Sequence, residues 1–226
     1  MSENIISVSI VDWDKIDTVL LDMDGTLLDR NFDDYFWEYY VPEVFAGKNN
    51  ITFNEARNKL LSKYKSREKT LEWTDLDFWS VELDLDIPAM KIELNHLIDV
   101  HPYVVDFLDY CRKKGKNIIL VTNAHQKTLE IKMKRTSLAG HFDQIVCSAE
   151  VGLAKEDPNF WPRLEKMIGF SREKTMLVDD TEAVLDSARQ YGMGSLFYVA
   201  RPSSTREVCR SNVYTSIIYF NELIID

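Results

Sequence analysis

Thr18-Val19-Leu20-Leu21-Asp22-Met23-Asp24-Gly25-Thr26 joins a short apolar run to two acids, a glycine and a threonine. A run of this length, closed by a charged residue, has the character of a strand buried on both faces of a parallel sheet. Two carboxylates two residues apart, just past such a strand, can converge on one ligand. Buried carboxylates need a counter-charge, and a divalent metal ion supplies one. Gly25 lets the backbone turn sharply away. The plain alternative is a polar turn after a strand. D-x-D-G-T fixes four positions at roughly 5–7% usage each, so its chance occurrence in a chain of this length is below ~1%.

Four further apolar runs follow, at residues 117–121, 142–147, 175–178 and 195–199. Helical stretches alternate with them. In 102–114, Pro102 stands at the first helical position, Lys113 and Lys114 occupy the last turn, and Gly115 is the cap. Asp157-Pro158 repeats the start signal and Gly169 closes that helix; 181–191 ends at Gly192. Strand alternating with helix predicts an α/β fold, a Rossmann-like doubly wound parallel sheet with helices on both faces. Residues 30–95 break the alternation, with helix-like apolar spacing at 51–66 and 73–83 and an aromatic cluster at Tyr35, Phe36, Trp37, Tyr39 and Tyr40. The predicted organisation is a core formed by 1–29 and 96–226, with 30–95 inserted after the first strand as a helical cap. Ligands of such sheets bind outside the carboxyl ends of the strands, where this insert leaves.

The 226 residues are 45% hydrophobic and 28% charged, enough for one core or a core with a smaller insert. A net charge of -10 argues against a nucleic-acid backbone as partner. It does not argue against a small phosphate ligand, because a bound cation inverts the local field. Cys111, Cys147 and Cys209 are odd in number and far apart, so they read as small buried hydrophobes. The N-terminal stretch lacks a basic start followed by an apolar core, and no run approaches the ~18 residues of a membrane span. The expectation is a cytoplasmic protein without a membrane partner.

The string from Val19 to Asp29 resembles the first motif of the haloacid dehalogenase-like hydrolase superfamily, and the other motifs occur in order over about 17–194. The second is the apolar run ending in Thr122-Asn123. The third is Lys155 in a loop before a helix, and the fourth is Val178 followed by Asp179-Asp180. The resemblance implies a Mg²⁺-dependent phosphohydrolase in which Asp22 is the nucleophile and an aspartyl-phosphate forms. It makes Asp24 the general acid and base, which needs a raised pKa. Thr122, Asn123 and Lys155 become the phosphate-binding groups. Asp22, the main-chain carbonyl of Asp24 and Asp180 become the metal ligands, with Asp179 reaching the metal through water. Taken singly, Lys155 also reads as a solvated loop residue, Thr122 as a cap, the paired acids as caps of the next helix, and Asp186 as a solvated helix-face or outer carboxylate. Dehalogenases lack the second acid, so Asp24 points to phosphate chemistry, with phosphomutase activity left open.

Within the superfamily, residues 17–29, 32–43, 73–87 and 119–125 resemble bacterial purine 5′-nucleotidases acting on GMP and IMP. The implied partner is a small phosphomonoester, a purine nucleoside monophosphate. Another small phosphometabolite, such as a sugar phosphate or phosphoglycolate, remains the alternative, and a non-catalytic protein of the same fold the next. Phe32, Tyr35, Phe36 and Trp37 can stack on a purine; at helical spacing they can equally form the cap's own core. His125 can reach the substrate or sit at a helix start, and Arg30 can meet phosphate or ribose. The tail after Arg201 reads as a closing strand-and-helix element.

Overall fold

The computed structural model describes residues 11–68 and 70–225. Six parallel strands form one sheet: β1 (Thr18–Leu21), β2 (Asn117–Thr122), β3 (Gln144–Cys147), β4 (Thr175–Asp179), β5 (Ser195–Val199) and β6 (Thr215–Ile217). Their order is β3-β2-β1-β4-β5-β6, so the chain builds outward from β1 on one side and returns to its other side at β4. Ligands of open α/β sheets collect at this reversal. In register, Leu21 of β1 faces Leu120 of β2 and Val178 of β4, so the carboxyl ends of the three strands are level.

Strand alternation sends side chains to two separate apolar layers. Val19, Leu21, Ile118, Leu120, Met176 and Val178 meet one layer, and Leu20, Ile119, Val121 and Leu177 the other. The first layer is completed by Val104, Phe107, Leu108 and Cys111 of α6 (Val104–Lys113) and by Leu129 and Met133 of α7 (Gln126–Thr136). The second is completed by Phe160, Trp161 and Leu164 of α9 (Phe160–Ile168) and by Val184, Leu185 and Ala188 of α10 (Glu182–Tyr191). One short helix, α8 (Ser148–Val151), links β3 to the loop that leads to α9.

Between β1 and α6 the chain is helical: α1 (Asn31–Tyr35), a π-helical turn at Phe36–Tyr40, α2 (Val41–Asn49), α3 (Phe53–Lys65), α4 (Leu76–Leu83) and α5 (Ile87–Glu93). Thr52 and Glu55 form a reciprocal capping box that fixes the start of α3. A third apolar cluster runs from Phe36 to Met90, with Leu60, Tyr64 and Trp79 at its centre. The predicted aromatic cluster therefore splits. Phe36 is buried in this cluster, whereas Tyr35 and Tyr39 stack on each other at the surface, 39% and 50% exposed.

Several local expectations need correction. Pro102 is not the first residue of α6: Tyr103 caps that helix in the left-handed region at φ 64°. Pro158 likewise precedes Asn159, the N-cap of α9. Cys209 is exposed, unlike Cys111 and Cys147. The tail contributes β6, three residues paired parallel with β5, and a 3₁₀ turn at Phe220–Leu223 whose Leu223 carbonyl accepts from Trp13 Nε1 at 3.1 Å. Among the described residues no helix is long and apolar enough to cross a membrane. The first ten residues of the N-terminal stretch read for an export signal lie outside the described residues.

Candidate active site

Chain direction alone brings the motif residues together. β1 ends at Leu21, β2 at Thr122 and β4 at Asp179, so Asp22, Thr122, Asp179 and Asp180 emerge at one edge. The backbone after Asp22 turns at once: Leu27 and Leu28 N–H both donate to the Met23 carbonyl, at 3.0 and 2.8 Å. Gly25 makes the turn at φ +85°, and a Cβ there would stand 2.4 Å from Asp180 Oδ2. Glycine is required here twice over, for the left-handed backbone and for the close approach of Asp180.

Lys155 is 2% exposed and sits among the acids. Its Nζ donates to Asp22 Oδ1 at 2.5 Å, to Asp179 Oδ2 at 2.7 Å and to the Val121 carbonyl at 3.2 Å. Burial alone would push this ammonium down; the Asp179 and Asp22 charges overrule it and hold it above its ordinary value. Lys155 is therefore a fixed positive charge and no surface lysine. Its loop is held by Asn123, whose Oδ1 accepts from Lys155 N–H at 3.0 Å and whose Nδ2 donates to Glu156 at 2.9 Å. The Asn123 side chain is thus occupied in shaping the loop, where the sequence suggested a phosphate contact. Thr122 Oγ1 accepts from Ala124 N–H at 3.0 Å, which leaves its own proton to donate.

Asp22, Asp179 and Asp180 are all buried, and each offers a carboxylate oxygen within 4.8 Å of the others. Burial, with Asp22 adjacent, pushes Asp180 up to about 7 against the pull of Arg30 and Lys155. Burial lifts Asp179 well above the carboxylate range although Lys155 opposes it, and Asp22 and Asp180 add to the rise. Three crowded carboxylates with an all-oxygen donor set suit a hard divalent cation. Asp179 also accepts from the N–H of Thr181, the residue before α10, at 2.9 Å. Asp186 is elsewhere: its Oδ1 accepts from Tyr214 Oη at 2.6 Å and from Arg189 at 2.7 Å.

These groups line a cavity of about 480 Å³ beneath the helical segment, bordered by Asp22, Asp24, Thr122, Asn123, Lys155, Asp179 and Asp180. That size lies within the roughly 300–1,000 Å³ of small-molecule sites. Among the residues read as substrate contacts, Arg30, Trp37 and His125 border it and Tyr35 does not. Arg30 donates to Asp180 Oδ2 at 2.8 Å, a contact with an acid where phosphate or ribose was expected. His125 caps α7 and lies 3.6 Å from Asp75 Oδ1 at the start of α4. Tyr64 and Trp73 supply further aromatic wall.

Sequence reading missed Lys132, Asp33 and Lys91. Lys132 Nζ donates to Asp24 Oδ1 and to Asp33 Oδ2, and Lys91 Nζ donates to Asp33 Oδ1 at 2.8 Å. Desolvation pushes Asp24 up to about 6 although Lys132 opposes it; Asp33 and Asp22 add to the rise. A signal was available, because Lys132 follows Thr128 and Leu129 and precedes Met133 on the buried side of α7.

This fold is that of a hydrolase family. The family model described as haloacid dehalogenase-like hydrolase matches residues 16–192, and the chain belongs to that family. It is an enzyme of the phosphatase type. The GMP/IMP nucleotidase YrfG of Escherichia coli is 41% identical over 192 residues, 85% of this chain and 86% of that protein. The pyrimidine 5′-nucleotidase YjjG of E. coli is 26% identical, over 74% of this chain and 78% of its own. Among solved structures, a HAD phosphatase from Thermococcus onnurineus superposes with a TM-score of 0.79 at 23% identity, covering 92% of this chain and 96% of that one.

Proposed function

We propose that the chain hydrolyses purine nucleoside 5′-monophosphates of the GMP and IMP type through a phosphorylated Asp22. The observation that carries the chemistry is Lys155, held between Asp22 and Asp179 in a cavity that Asp24 also borders. Asp22 attacks phosphorus; the new bond to its carboxylate oxygen forms as the ester P–O bond breaks, and one hard displacement becomes two easier ones. Asp24, raised to about 6, carries the proton that the departing ribose oxygen needs. It then takes a proton from the water that attacks the acyl phosphate and releases inorganic phosphate. Lys155 and the Thr122 hydroxyl hold phosphoryl oxygens where negative charge must be carried in the transition state.

The carboxylates of Asp22, Asp179 and Asp180, with the Asp24 carbonyl, would hold Mg²⁺. Bound there, the cation supplies the positive charge that lets an anionic nucleophile meet an anionic phosphate. In this reading residues 30–95 act as a cap over a core formed by 1–29 and 96–226, and the enzyme works on nucleotides of the cytoplasm.

Two observations support a purine. The match to the E. coli GMP/IMP nucleotidase spans 192 residues, too many to leave out the helical segment above the cavity. That segment presents Trp37, Tyr64 and Trp73 to the cavity, and aromatic faces stack on bases. The test is phosphate release from GMP, IMP, AMP, phosphoglycolate and a sugar phosphate, with Mg²⁺ or with EDTA. GMP and IMP are expected to exceed AMP at least about tenfold in kcat/KM, the order of discrimination a base-reading pocket achieves. EDTA is expected to abolish release. Equal rates on all five esters contradict the substrate, and undiminished release in EDTA contradicts the metal.

A further inference from the structure

Two lysines occupy positions that the helical period reserves for apolar side chains. Lys132 stands beside Leu129 and Met133 on α7, and Lys91 beside Ile87 and Met90 on α5; they are 1% and 2% exposed. Lysine is almost never fully buried unless paired. Both pair with the same carboxylate. Asp33 of α1 accepts from Lys91 through Oδ1 at 2.8 Å and from Lys132 through Oδ2 at 2.5 Å. Lys132 then reaches its second acceptor, Asp24 Oδ1, at 2.5 Å. The result is one chain of alternating charge, Lys91–Asp33–Lys132–Asp24, with two cations against two anions. Aromatic rings close it from water: Lys91 Nζ lies 4.9 Å from the Phe32 centroid and 4.7 Å from that of Phe36, and Lys132 Nζ lies 5.4 Å from that of Phe32.

The chain joins three layers. Lys91 and Asp33 belong to the helical segment, Lys132 to a helix packed on the sheet, and Asp24 to the turn after β1. Among the described residues, Lys132 is the only side chain that hydrogen-bonds the Asp24 carboxylate. Well-packed apolar residues of similar volume would hold such helices together with no necessary loss of stability. What they could not do is grip one oxygen of a carboxylate.

We propose that Lys132 is the positioning residue for Asp24, and that Asp33 and Lys91 tie it to the helical segment, so that Asp24 is oriented for proton transfer only while that segment is seated. The proposal rests on the reading of Asp24 as the proton-transferring residue and of 30–95 as a cap. A control lies nearby. Arg206, in the loop after β5, donates to Asp34 Oδ2 at 2.8 Å and to Glu38 Oε1 at 2.7 Å. It ties the helical segment to the sheet side of the molecule at the surface without touching Asp24, and such exposed pairs contribute little.

The test compares full-length wild type with Lys132→Met, Lys132→Arg, Lys91→Met and Arg206→Ala. Two quantities are measured: kcat and KM on the best nucleotide, and first-turnover release of 4-nitrophenolate from 4-nitrophenyl phosphate. That leaving group departs without needing a proton, so Asp24's acid role is bypassed. Lys132→Met is expected to lower kcat on the nucleotide by about 10²-fold, the lower range for loss of general acid–base catalysis, with KM within about threefold. Its first-turnover nitrophenolate release falls by less than about a tenth of that factor. Lys132→Arg recovers most of the loss. Lys91→Met lowers kcat in the same sense by a smaller factor, and Arg206→Ala leaves it within about twofold.

A folded Lys132→Met with kcat within about twofold of wild type, or one that loses both reactions equally, reduces Lys132 to a structural ion pair and overturns the proposal. If Lys132→Met does not fold, Lys132→Gln and Lys91→Met carry the comparison, and unchanged kcat in both overturns it. A wild type inactive on every phosphomonoester overturns the underlying reading and this proposal with it. An active wild type with unaffected variants overturns this proposal alone.

Discussion

Lys155→Met removes the buried cation that faces both Asp22 and Asp179. In the native protein Lys155 Nζ satisfies Asp22 at 2.5 Å and Asp179 at 2.7 Å, with 2% of the side chain exposed. Removing one partner of a buried ion pair leaves an uncompensated charge and costs about 3–5 kcal/mol. Here one lysine serves two carboxylates, so the upper part of that range is expected. Methionine fills most of the volume, which keeps a cavity term small. In the proposed mechanism the same substitution also deletes a donor to the phosphoryl group, worth about 10²–10³ in kcat, or roughly 2.7–4 kcal/mol of barrier. Urea unfolding gives the first number, and kcat with KM on the best substrate gives the second. A variant that loses less than about 1 kcal/mol, or keeps kcat within about threefold, would refute the placement of Lys155 as the common partner of the two acids.

Two further outcomes are expected. Gly25→Ala puts a methyl group 2.4 Å from Asp180 Oδ2 at φ +85°, so Asp180 must move; a stability loss of about 1–2 kcal/mol and a raised Mg²⁺ requirement for activity are expected, and an unchanged metal titration would show that Asp180 is not held by this contact. His101 is held below 6.5 by burial, with Arg201 adding to the fall and Asp29 and the Pro202 carbonyl opposing it. The unfolded chain therefore binds the extra proton first, and stability is full above about pH 6.5 and is lost as pH falls below it, by at most ~1.4 kcal/mol per pH unit. His101→Gln should flatten urea midpoints between pH 7.5 and 5.5, values chosen to bracket about 6.5; an equally steep fall would assign the effect to other groups.

The parts legible in the sequence are those whose cause is local. An apolar run closed by Asp22, another by Thr122 and a third by Asp179 mark strand ends, and parallel strands place their carboxyl ends at one edge without further information. The turn at Gly25 was legible for the same reason. Pro102 misled because Tyr103 enters the left-handed region and starts the helix two residues later. Tyr35 misled because a π-helical turn follows it and the ring faces Tyr39 at the surface. Asp33, Lys91 and Lys132 lay beyond local reading. Lys132 meets Asp33 across 99 residues and Asp24 across 108, and no periodicity encodes a pairing at that separation. The period does report that a lysine sits on a buried face, and a buried lysine demands a partner. Arg30, read as a contact to phosphate or ribose, borders the cavity, but its bond to Asp180 spans 150 residues and could not be seen from composition.

The central claim is that phosphate passes through Asp22. The direct measurement is an acid quench during turnover of a nucleotide labelled in its phosphate, with the labelled peptide located by mass spectrometry. The account predicts label on Asp22 in the wild-type protein, sensitive to hydroxylamine, and no label in a folded Asp22→Asn variant that has lost turnover. An active Asp22→Asn protein, or label carried on another residue of the wild type, would contradict it.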